Sequence, residues 1–185
     1  MKTRFLLACL LAIACSKEGA AKGVLAADRP EAQASATFTL TSRDFAPGGT
    51  IPKKFSDYDI GMSPSLVWQD LPEGTKSLAV IMEDPDAASS QPFLHWLAWN
   101  IDPAAGAIDR GSVTLGARLG RNGRGKPGYF GPHPPGNGPH HYHFQMFALD
   151  SQLPLKSGAS REQLLAAIKG HALAKADLVG LFAKP

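Results

Sequence analysis

Hydrophobic and polar positions along this chain fall mostly into short runs of period two. Residues 77–83 (SLAVIME) are almost continuously apolar, the pattern of a strand buried on both faces and therefore central in a sheet. Residues 140–148 alternate. His140, Tyr142, Phe144, Met146 and Ala148 are predicted to share one face, with His141, His143, Gln145 and Phe147 on the other. Residues 37–41, 65–68 and 93–101 read as further strands, separated by Pro/Gly turn signals. Helical spacing occurs near the C-terminus, where Ser160 and Gln163 form a capping-box pattern ahead of Leu164, Leu165 and Ile168. This predicts a helix over residues 160–169, and residues 171–182 then continue as a second helix or a last strand. Residues 104–131 carry frequent glycines and little period, which predicts a long loop of the kind that tends to be functional.

The N-terminus breaks this pattern. Lys2 and Arg4 precede an apolar run over residues 5–14 that is too short to span a bilayer as a helix. Residues 1–14 read as a signal peptide. The sequence Leu11-Ala12-Ile13-Ala14-Cys15 resembles a lipoprotein box, with Ala12 where that pattern wants Leu, so Cys15 is the predicted lipidation site; the competing reading is ordinary signal-peptidase cleavage after Ala14 or after Ala26, which gives a secreted form. Residues 15–36, rich in Ala, Lys, Glu and Gly, read as a flexible tether, and residues 37–185 as the domain. The expected location is the bacterial cell envelope, facing the periplasm.

Both cysteines, Cys9 and Cys15, lie in the N-terminal segment, so the domain has no thiol for disulfide or thiolate-metal chemistry. Losing Lys2 and Arg4 takes 19 basic residues to 17 against 16 acidic ones, and the formal charge from +3 to +1. A near-neutral domain gives no reason to expect a nucleic-acid partner.

Candidate chemistry gathers around two places. The buried run ends in Asp84-Pro85-Asp86-Ala87, and a carboxylate at the end of a buried strand needs a partner. His95, on the next strand, is a candidate for that role; by simple alternation it shares a face with Phe93, Leu97, Trp99 and Ile101. The second place is a loop over residues 128–138, with three prolines and four glycines, which delivers His140 and Tyr142 onto the start of a strand. A glycine-rich stretch over residues 120–127 fits phosphate-loop spacing until Pro127 replaces the required hydroxyl, which excludes that motif. Arg118 just before it, and Arg121, Arg124 and Lys126 within it, are solvated charges that could attract an anion.

The ordered set Asp84-Pro85-Asp86-Ala87, His95-Trp96, Gly131-Pro132-x-Pro134-Pro135 and His140-x-Tyr142 resembles the phosphatidylethanolamine-binding protein family, in its bacterial Raf-kinase-inhibitor-like branch. Ser63-Pro64-x-Leu66-x-Trp68, residues 72–77 and Gly170-His171-Ala172-Leu173-Ala174 match that branch as well. The resemblance implies a mainly β fold of two antiparallel sheets, a sandwich with a few short helices, mostly C-terminal. It also implies a pocket for phosphate-like anions or phospholipid headgroups lined by Asp84, His95, His140 and Tyr142, with Asp86 and Phe93 at further wall positions. Eukaryotic members inhibit kinases or other proteins, so an inhibitory or regulatory role on a protein target follows the same resemblance. Ala88 in place of the usual Pro, His133 before the double proline, and a loop one residue shorter than the common pattern are departures that reshape the pocket mouth.

The residues support the same reading, because His140, Tyr142, His95 and loop N–H groups are donors suited to an anion. Asp84, which would repel phosphate, is better suited to fixing a histidine tautomer so that one imidazole is cationic when ligand is present. The competing class is a hydrolase or metal-dependent enzyme built on the Asp/His cluster, but no nucleophile context or metal motif is identifiable, and no cofactor is expected.

Overall fold

In the computed structural model, residues 23–185 are described except Thr114 and Asn137; the predicted leader over residues 1–14 and Cys15 lie outside the described residues. The described residues form β1 (Ala36–Thr37), β2 (Thr39–Thr41), β3 (Leu66–Gln69), β4 (Ser77–Asp84), β5 (Phe93–Ile101), β6 (Ala107–Ile108), β7 (Arg118–Leu119), β8 (His140–Leu149), α1 (Arg161–Ile168) and β9 (Ala172–Phe182), with four short 3-10 turns among them. A six-stranded sheet has the order β1-β9-β8-β4-β5-β7 and a three-stranded sheet the order β2-β3-β6. Neighbours are antiparallel except β1 and β9, which run parallel. The expected β-rich two-sheet architecture is thus the one observed.

β4 lies between β5 and β8, and all eight of its residues are buried, as its unbroken apolar run requires. Val80 and Met82 join Trp96, Tyr142, Phe144 and Met146 in the core between the sheets, which Leu40, Leu66, Trp68 and Ile108 complete from the small sheet. On the outer face Ala79, Ile81, Leu97, Trp99 and Phe147 pack beneath Leu164, Leu165 and Ile168 of α1. The capping box at Ser160 and Gln163 forms as expected, and such a cap is worth about 1 kcal/mol. The segment after α1 is a strand, β9, paired with β8 along its length.

Two expectations are corrected. Residues 26–36 are part of the domain, not tether: Ala26 and Ala32 are buried, and β1 belongs to the large sheet. The docking is made by backbone groups and two small side chains, so it leaves no apolar period to read. Ala26 N–H donates to Glu83 Oε2 (2.7 Å) and Ala27 N–H to Gln145 Oε1, while Lys175 Nζ donates to the Ala27 carbonyl at 2.6 Å. Glu83 is fully buried on this outer face; Arg161 donates to its Oε1 at 2.8 Å and Gln145 Nε2 to its Oε2 at 2.9 Å. A buried carboxylate is tolerable only when so paired.

The second correction concerns β5. Met82 pairs with Trp96 but Glu83 pairs with Leu94, so His95 is an extra residue in the ladder. A second shift lies between Leu78 and Val80, opposite Asn100, whose φ is 55°. Simple alternation therefore fails in this strand. Leu97 and Trp99 face α1, whereas Ile101 faces the small sheet and His95 meets Tyr142 on that same inner side.

Candidate anion pocket

The end of β4 turns sharply on Asp84. Its Oδ1 accepts the N–H groups of Asp86 (2.8 Å) and Ala87 (3.1 Å), a side-chain-to-backbone turn typical of Asp. Its Oδ2 lies 2.7 Å from His140 Nδ1. A carboxylate oxygen only accepts here, so His140 donates from Nδ1, and Nε2 is left for other partners. The partner that Asp84 needs is thus His140, not His95. The carboxylate orients an imidazole.

His95 is buried and donates from Nδ1 to the Phe130 carbonyl at 2.7 Å. Its ring stacks on Phe130 (5.5 Å, 6°) and meets Phe93 and Tyr142 edge-on at 4.9 and 5.2 Å. Desolvation pushes its pKa down to about 4, against the opposing pull of the Phe130 carbonyl and of Asp84. His95 is therefore neutral near pH 7 and cannot be the expected cation; its Nε2 is an acceptor. Below it, the Tyr142 hydroxyl is buried and lacks a well-formed hydrogen bond. Burial first, and then the nearby Asp84 carboxylate, raise its pKa.

The mouth is made by the loop between β7 and β8. The Arg124 guanidinium lies 4.0 Å from the Phe130 ring centroid and 3.6 Å from Asp57. His133 Nδ1 is 3.0 Å from the same Asp57 carboxylate, and its ring stacks on Tyr58 at 4.4 Å. Tyr58 and Tyr129 fasten the loop by donating to the carbonyls of Pro134 and Phe55, each at 2.8 Å. Gly131 fits where a Cβ would fall 2.6 Å from the Phe55 carbonyl oxygen, so only glycine allows this approach.

The result is a cavity of about 190 Å³ bordered by Asp84, Phe93, His95, Arg124, His133 and His140, with Ala87, Ala88, Phe130 and Pro135 completing it. A larger groove of about 560 Å³ runs between the N-terminal arm and β9. The small cavity is the stronger candidate, because buried polar side chains and a strongly shifted histidine converge on it. Among the described residues no cluster of His, Cys, Asp or Glu suited to a metal ion is found.

Of the predicted site residues, Asp84, Phe93, His95 and His140 border the cavity and Tyr142 contacts His95 beneath it. Asp86 does not border it. Its Oδ2 instead accepts from the backbone N–H and Nδ1 of His141, at 2.9 and 2.7 Å, on the opposite face of β8. Arg124, Phe130 and Pro135 were not singled out as wall residues by sequence. Arg124 carried only its charge in a glycine-rich loop as a signal, and His133 only its place before the double proline.

The family model for phosphatidylethanolamine-binding proteins matches residues 41–183. The UPF0098 protein of Chlamydia muridarum is 40% identical over 147 residues, covering 77% of this chain and 97% of the relative. LppC of Mycobacterium tuberculosis, whose name describes it as a lipoprotein, is 38% identical over 152 residues, covering 82% of this chain and 75% of that one. Among solved structures, a phosphatidylethanolamine-binding-protein homologue by its description, CT736 of Chlamydia trachomatis, superposes with a TM-score of 0.76 at 38% identity, covering 82% of this chain and all of that one. E. coli YbcL, described as a member of the mammalian family, gives 0.76 at 30% identity, over 81% of this chain and 100% of its own. With a mainly β two-sheet fold, a family match across most of its length and relatives at this identity, the chain belongs to the phosphatidylethanolamine-binding protein family.

Proposed function

We propose that this protein is an envelope binding protein whose cavity at the Asp84 end takes a phosphate-like anion or a phospholipid headgroup, the chain being anchored by lipid at Cys15. The observation that carries the reading is the Asp84–His140 pair at 2.7 Å, set beside Arg124 and His133 at the cavity. Asp84 holds His140 by Nδ1, and an imidazolium there would offer its second N–H to an oxyanion while Asp84 balances the charge. Neutral His95 offers an acceptor, which suits a ligand that also carries a donor, such as a hydrogen phosphate or an ammonium-bearing headgroup. Among the described bordering residues none is Ser, Thr, Cys or Lys, and the Asp84 carboxylate is already engaged by His140 and two backbone N–H groups, so a binding or regulatory role fits the cavity better than hydrolysis. The name of LppC supports an envelope location for this chain too.

Calorimetry with inorganic phosphate and with phosphoethanolamine tests the reading. A hydrogen bond to a charged group is worth roughly 1.5–3 kcal/mol, so His140→Ala should weaken binding about tenfold or more. His141→Ala, on the other face of β8, should leave affinity nearly unchanged. Equal losses in the two variants, or no binding by the wild type at millimolar ligand, would overturn the proposal.

A further inference from the structure

The first described residues of the chain lie at the same end of the large sheet as the cavity. Gly23 lies against the turn between β4 and β5, where a Cβ built on it would meet Pro92 Cδ at 2.6 Å and the Ser90 carbonyl at 2.8 Å. That turn also carries Ala87 and Ala88, which border the cavity, and it leads into Phe93. Three residues beyond Gly23 the arm is pinned to the outer face by the Glu83, Gln145 and Lys175 contacts. Its exit point is thereby set by the fold. Cys15 precedes Gly23 by eight residues, which reach at most about 28 Å when fully extended. The opposite end of β4, at Ser77 and the turn before it, lies about 25 Å farther along the strand.

We infer that the anchored domain presents its cavity end to the bilayer, so that the pocket samples headgroups of the membrane to which the chain is attached. This rests on the anchor and the binding reading proposed above. Attachment at the Ser77 end would aim the cavity away from the membrane; attachment beside Ala88, within about 28 Å of Cys15 along the chain, keeps it within reach. Charge favours the same orientation modestly: Lys17 and Lys22 outweigh Glu18 between Cys15 and the arm, and Lys126 adds a basic group on the loop at the mouth, where Arg124 is shared with Asp57. Anionic lipid surfaces attract basic residues of this kind.

The test uses the full-length protein purified from membranes and reconstituted into phosphatidylethanolamine/phosphatidylglycerol vesicles carrying an energy-transfer acceptor on the lipid. With Cys9 removed in the leader and Cys15 acylated, a thiol introduced by Ala88→Cys or Glu73→Cys is the sole labelling site. Transfer is expected to be several-fold greater from position 88 than from position 73, and a Gly/Ser insert of about 20 residues before Gly23 should shrink the difference. Equal transfer from both positions, or a larger signal from 73, overturns the orientation, as does an unacylated Cys15 by mass spectrometry. Calorimetry of phosphoethanolamine on the soluble Cys15→Ala form reads binding separately. Binding without orientation refutes only this inference, whereas orientation without binding refutes headgroup sampling and the binding proposal together.

Discussion

The neutrality of His95 has a measurable cost at acid pH. In the folded protein its pKa falls from 6.5 to about 4, because burial among Phe93, Phe130 and Tyr142 removes water from the charged form. The unfolded chain therefore binds a proton before the native state does. The stability tied to a neutral His95 is fully present above about pH 6.5 and is lost as pH falls toward the folded value of about 4. Each pKa unit is about 1.4 kcal/mol, so between about pH 8 and pH 4.5 the loss from this one group comes to about 2–3 kcal/mol. Other histidines and carboxylates titrate over the same interval, so the measurement must be differential. Urea unfolding of the wild type and of His95→Gln across this range should give a wild-type stability falling by about 2–3 kcal/mol more than that of the variant. Parallel pH profiles would refute the reasoning. So would an NMR titration in which the His95 ring protons move with an ordinary midpoint near 6.5.

Two other perturbations follow from ion pairs described above. Arg161→Met strands the buried Glu83 carboxylate with only Gln145 and the Ala26 N–H as donors, and it should cost about 3–5 kcal/mol in urea unfolding, while the Glu83→Gln/Arg161→Met double variant should recover much of the loss. At His143 desolvation disfavours the cation, but the 2.7 Å contact with Asp177 outweighs it and the pKa is raised. The stability linked to that proton is present below the unfolded pKa and fades as pH rises through the folded one, and Asp177→Asn should move the NMR midpoint of His143 downward.

Much of this fold is legible because single strands carry strong local patterns. The continuous apolar run of β4 and the alternation of β8 each dictate their faces without help from the rest of the chain. β5 defeats the same logic. Whether His95 faces inward depends on an extra residue against Met82 and Glu83, a property of strand pairing that leaves no mark in the sequence of β5 itself. The cavity was half readable for a related reason. Asp84, His95 and His140 sit at strand ends, where motif and geometry coincide. Arg124, Phe130 and Pro135 come from a loop whose path is set by distant fastenings such as Tyr129 on Phe55. Asp86 lies only two residues from Asp84, yet the turn between them sends it to His141.

The pairing of β1 with β9 bears on the order in which this chain folds. Ala36 lies beside Ala174, and the arm before it is held by groups as far along the chain as Lys175, 148 positions beyond Ala27. A chain made from its N-terminus presents the arm long before the last strand arrives. Until then the arm has neither its β9 neighbour nor the Lys175 contact. Closure of the domain is consequently a late and non-local event, slow in the sense of high contact order. It leaves residues 23–36 without their β-sheet partners until the C-terminal strand docks, so the first described segment of the chain is among the last to be buried.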